Sequence, residues 1–203
     1  MRHSYCFILL FLCFTSCKVK QSSPPPKTFE TLLPGRATNN YGTLILDELK
    51  QTADQLGLTR MDTGVSQFEL RLWYNKAKAE KHVLVFQVND TAFHYRHIEY
   101  LVMNYGVTKF DAMSHVEKDS LKTLYDSLKQ IDFKSLMSRQ DIPGFRDTVS
   151  NGTLYYMEVA TPTRYVLVTY NAPEYYAASE INNKRFLDII LLLNRYLHFY
   201  PSN

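Results

Sequence analysis

A chain of 203 residues has room for one compact domain and a short appendage, not two full domains. Hydrophobic residues at 45% and charged residues at 21% exclude wholesale disorder and a multispanning membrane protein. A net charge of +3 is too mild to point to nucleic acid. The cysteines say more: Cys6, Cys13 and Cys17 are the only three, and all precede residue 18. After Arg2 the chain runs apolar from Tyr5 to Phe14 and then reaches Thr15-Ser16-Cys17. A positive start, a short apolar run and small residues are the plan of a secretory signal. The run is far shorter than the roughly 20 residues that cross a bilayer as a helix.

Phe14-Thr15-Ser16-Cys17 resembles the lipobox of bacterial lipoproteins, with Phe14 where the commonest pattern has leucine. The resemblance implies cleavage after residue 16 and attachment of lipid to the Cys17 thiol. It thus implies a membrane partner, reached through palmitate-like acyl chains, and a place in the Gram-negative cell envelope. Lys18 and Lys20 follow Cys17 where surface-exported lipoproteins carry acidic residues, so the expected address is the periplasmic face of the outer membrane. With Cys17 lipidated, the mature chain has no thiol for a disulfide, a zinc thiolate site or a nucleophile.

Residues 17–36 read as the lipidated cysteine and a tether, since Pro24-Pro25-Pro26 favours extended polyproline II. The domain is expected over residues 37–203. Five of the 23 basic residues but only one of the 20 acidic ones precede it, so its own net charge is −1. Leu44, Ile45, Leu46, Leu49, Ala53 and Leu56 recur at helical spacing before Gly57, predicting a helix over 42–56. Residues 67–74 alternate Phe68, Leu70, Leu72 and Tyr74 with Glu69, Arg71 and Trp73, the pattern of a strand with one polar face. Strands over 82–88 and 91–102 follow, turning at Asn89-Asp90. Leu121, Leu124, Leu128 and Ile131 mark an amphipathic helix over 120–131. A second hairpin is predicted over 153–170, and a long, mostly apolar helix over 179–199. Lys184, Asp188, Arg195 and His198 form the one polar stripe on that helix. The fold class is α+β: an antiparallel sheet of about five strands in two hairpin units, helices on one face, and a long C-terminal helix.

No pattern of catalytic residues emerges, which leaves the question of an enzyme open and favours a non-catalytic role. There is no Gly-x-Ser-x-Gly elbow, no phosphate loop and no dinucleotide fingerprint. No cofactor is expected. His82, His94, His97 and His115 are close in sequence, but His94 and His97 project to opposite sides of a strand. His97 and Glu99 do share a face, yet a metal site needs three or four converging ligands, so none is expected and the histidines read as solvated. Tyrosine is abundant, with fifteen in the chain. Trp73, Tyr95, Tyr156, Tyr165 and Tyr170 are the candidate binding face, a ledge of rings on an exposed sheet surface. Its partner would be an envelope protein or a glycan. In layout, with Glu69 to Tyr74 opening a sheet and residues 152–200 closing it, the domain resembles small Gram-negative envelope lipoproteins of unknown function. That resemblance implies no catalytic residue. The alternatives are an envelope hydrolase with an unrecognised site and an inhibitor or immunity-type protein.

Overall fold

The computed structural model describes residues 28–35, 40–75, 80–90, 92–103, 106–112 and 116–199. The signal sequence, Cys17, the proline run and His115 lie outside those residues. Seven strands are present: β1 Glu30–Leu32, β2 Phe68–Asn75, β3 Glu80–Asn89, β4 Ala92–Met103, β5 Gly106–Ala112, β6 Leu154–Thr161 and β7 Arg164–Asn171. They form one sheet in the order β1-β7-β6-β2-β3-β4-β5. Every pairing is antiparallel except that of β1, which runs parallel to β7 at one edge. Among the described residues, four α-helices accompany the sheet: α1 Tyr41–Gln55, α2 Lys118–Leu128, the single-turn α3 Pro173–Tyr176 and α4 Ile181–Leu197. None of the described helices is long and apolar enough to cross a membrane.

The α+β class and the long C-terminal helix stand; the expectation of about five antiparallel strands does not. β1 is only three residues long and lies between Pro26 and Pro34, too short to show a strand period. It is nonetheless fixed to the domain. Glu30 meets Arg164 at 2.7 Å and Lys134 at 3.2 Å, and the Gly35 N–H donates to the Asp141 carboxylate at 3.0 Å. Residues read as the end of the tether are therefore part of the sheet. β5 pairs with β4 at the other edge, where Gly106-Val107-Thr108-Lys109 carries little hydrophobic signal.

The helices lie on both faces, not one. α2 and α4 cover the face formed by Phe68, Leu70, Leu72 and Tyr74 of β2 and their cross-strand neighbours. α1 covers the opposite face, packing Ile45, Leu46, Leu49 and Ala53 on Trp73, Val83, Val85, Ile98 and Leu167. Its N-terminal turn abuts the chain leaving β1. A Cβ on Gly42 would sit 2.3 Å from the Pro34 carbonyl oxygen, so only glycine allows this approach. The sequence pattern misled because Glu69 and Arg71 looked like a wet face, whereas both are buried as a pair. α4 is N-capped by the Glu180 carboxylate, which accepts from the Asn183 N–H at 2.6 Å. It buries Phe186, Ile189, Ile190, Leu193 and Leu197, and leaves Leu191 exposed.

Candidate functional site

The five rings expected to form an exposed ledge are split between the two faces, and three are fully buried. Trp73 and Tyr165 lie beneath α1 and are 1% and 0% exposed. The Trp73 indole N–H and the Tyr165 hydroxyl both donate to Glu158, at 2.6 and 2.7 Å. Tyr156 is half-buried on the same side, where burial pushes its hydroxyl up to about 12. Tyr170 is buried on the opposite face, stacked on Phe186 at 4.1 Å, and its hydroxyl donates to the Met137 carbonyl. Tyr95 shares that face and donates to the Leu197 carbonyl at 3.5 Å. The rings hold the helices to the sheet, which is why they could not be told from binding residues by type alone.

Trp73 and Tyr165 belong to a buried polar island. Arg71 donates through Nε to Glu69 at 2.7 Å and through its terminal nitrogen to the Thr59 carbonyl. Gln87 donates to the second Glu69 oxygen at 2.7 Å. Glu158 stands directly across from Arg71 in the β2–β6 pairing. Burial raises the Glu158 carboxyl above its ordinary value, against the opposing pull of Arg71 and its two hydrogen-bond donors. Every carboxylate oxygen of the island accepts a donor, so nothing in it faces outward for a ligand.

On the other face, strand register assembles one row across the sheet. Tyr170, Tyr155, Tyr74, His82, Glu99 and Phe110 are successive partners on β7, β6, β2, β3, β4 and β5. α4 and the residues just after it cover the aromatic end, with Phe186 on Tyr155 and Tyr170 and with Phe199 on Tyr74. Beyond Tyr74 the row turns polar. His82 stacks on the Tyr74 ring at 4.8 Å, and His97 is one row away on the same side of β4. His82 Nδ1 lies 3.3 Å from His97 Nε2 and 3.7 Å from Glu99 Oε1. The Tyr74 hydroxyl is 3.2 Å from the same His97 nitrogen. One donor atom from each of His82, His97 and Glu99 falls within 4.8 Å of the others. Both imidazoles are buried, and the Glu99 side chain is 48% exposed.

The expectation of solvated histidines is thus corrected for His82 and His97. His94 is exposed on the far side of β4, and Glu69 is on the other face of the sheet. The sequence showed that His97 and Glu99 share a face. It did not show that β3 sets His82 opposite Glu99, because pairing register is a property of the assembled sheet.

A second feature is an open groove beside α4, about 590 Å³ in volume. Ile131 and Leu136 line it from the segment after α2, and Ile189, Leu191 and Leu192 from α4. Arg185 and Arg195 also line it, ten residues apart on α4. Its acids are already engaged: Asp188 holds Lys184 at 3.2 Å, and Asp132 accepts from the Lys134 N–H at 3.2 Å. Neither arginine meets a carboxylate among the described residues. Comparison with known proteins supplies no identity, as no family model and no curated protein matches the chain.

Proposed function

We propose that this chain is an exported lipoprotein, anchored in the cell envelope through Cys17, that acts by binding a protein partner in the groove beside α4. The observation that carries the reading is the pairing of an apolar trough with two arginines that meet no carboxylate among the described residues. With helices over both sheet faces, the exposed tyrosine ledge is no longer the binding surface, and a glycan, which needs exposed rings to stack on, fits less well. The groove suits a segment with apolar anchors flanked by carboxylates, since guanidinium groups at its rim pair readily with them. Lys18 and Lys20 support retention at the periplasmic side of the outer membrane. Ten residues separate Cys17 from Thr28, a reach of at most about 35 Å, so the domain works close to the membrane.

Two measurements test this. Labelled palmitate should enter the wild-type chain and not Cys17→Ala; label that persists in the variant sinks the anchor. For the groove, a photocrosslinking residue at position 191 should join the protein in cells to an acidic segment of a different chain. The adduct should disappear in Arg185→Glu/Arg195→Glu. An adduct with a second copy of this chain, or with a basic segment, or none at all, rejects the proposed partner.

A further inference from the structure

We propose that His82, His97 and Glu99 form a binding site for a divalent first-row transition ion such as Zn²⁺. The site is independent of the groove beside α4. It rests on a geometry that strands impose. His82 and Glu99 are direct partners across β3 and β4, and His97 follows Glu99 on the same side two residues away. All three side chains therefore stem from paired strands, which hold ligands more firmly than loops do.

The separations suit an ion. Zn²⁺ bound tetrahedrally at about 2.0–2.2 Å places its ligand atoms about 3.3–3.6 Å apart. His82 Nδ1 is 3.3 Å from His97 Nε2 and 3.7 Å from Glu99 Oε1. The remaining distance is within 4.8 Å, and Glu99, whose side chain is half exposed, is the ligand with room to adjust. Two imidazoles and one carboxylate select borderline transition ions over Ca²⁺ or Mg²⁺, which demand oxygen ligands. The carboxylate also offsets half the charge of the ion. The solvent-facing Glu99 provides the way in. Tyr74 is a positioning residue through its ring, which stacks on His82; its hydroxyl, 3.2 Å from His97 Nε2, must give way when that nitrogen takes the ion.

The test uses the full chain in detergent, without a histidine tag. Zn²⁺ is titrated in competition with a chromophoric chelator, and Co²⁺ serves as a spectroscopic probe. One Zn²⁺ per chain and the visible absorption of four-coordinate Co²⁺ are expected. His82→Leu and His97→Leu should abolish both, and Glu99→Gln should weaken binding by at least ~10-fold. Tyr74→Phe keeps the stacked ring and removes the competing hydroxyl, so affinity should hold or rise and the Co²⁺ spectrum should stay four-coordinate. His94→Ala should change nothing. Binding that survives in folded His82→Leu/His97→Leu, or is well below one ion per chain, overturns the proposal. Should the leucine variants unfold, imidazole NMR of the wild type decides. Zn²⁺ must shift the ring signals of His82 and His97; shifts confined to other histidines overturn the site.

Discussion

The same strands carry two polar clusters on opposite faces, and they are built on different principles. Beneath α1, Glu69, Arg71 and Glu158 are buried with a donor for each carboxylate oxygen. On the other face, one possible ligand atom from each of His82, His97 and Glu99 converges, with the Tyr74 hydroxyl at one side and solvent at Glu99. The first cluster is complete as it stands. The second sets two imidazole nitrogens and a carboxylate oxygen within reach of one ion. Burial of polar groups therefore does not by itself mark a site; what matters is whether the buried atoms can converge on one ligand and whether one of them reaches solvent.

The largest expected effect comes from breaking the closed cluster. Arg71→Met removes the one cation between two buried carboxylates and should cost about 3–5 kcal/mol. Urea unfolding of the full chain measures it. Zn²⁺ affinity should stay at the wild-type value, because Arg71 points to the α1 face. A cost under about 1 kcal/mol would mean that the island relaxes or admits water, and the contrast between the clusters would fail.

The second cluster is sharpened by its response to metal. Zn²⁺ held at 100 times its dissociation constant should stabilise the native state by about 2.7 kcal/mol. The same gain is expected in Arg71→Met, and none in His97→Leu. Denaturation midpoints with zinc and with a chelator make the comparison. An equal gain in His97→Leu would place the ion elsewhere.

How much of this was legible in the sequence follows from range. α1, β2, the two hairpins and α4 depend on local periodicity and capping, and residues such as Leu44 to Leu56 before Gly57 display both. β1 and β5 depend on what they pair with: Thr31 and Thr108 carry no signal until β7 and β4 lie beside them. Arg71 was read as solvated because a charge buried with its partner looks, in one dimension, like a charge in water. The metal ligands failed for a related reason. His97 and Glu99 were visible as a pair, and His82 joined them only through the β3–β4 register. The rings of Trp73, Tyr165 and Tyr170 erred in the opposite direction, since composition cannot say which side of a sheet a helix will cover.

The smallest effect tests the closed cluster by its pH dependence. Burial raises the Glu158 carboxyl above its ordinary value near 4.5, with Arg71 opposing. The folded state then holds this proton over a window that opens at about 4.5 and extends upward, while the unfolded state releases it. Stability contributed by Glu158 is thus full below the window and declines as pH rises through it. Glu158→Gln cannot lose a proton, and its amide leaves either the Trp73 or the Tyr165 donor without an acceptor. The variant should cost about 1 kcal/mol in acid, and less than that at pH 7. Unfolding midpoints of both proteins at pH 4.5 and pH 7 give the sign. A penalty that grows toward neutral pH would mean that Arg71 outweighs burial. The island would then be a stabilised ion triad, and Arg71→Met should show its full cost only above the carboxylate range.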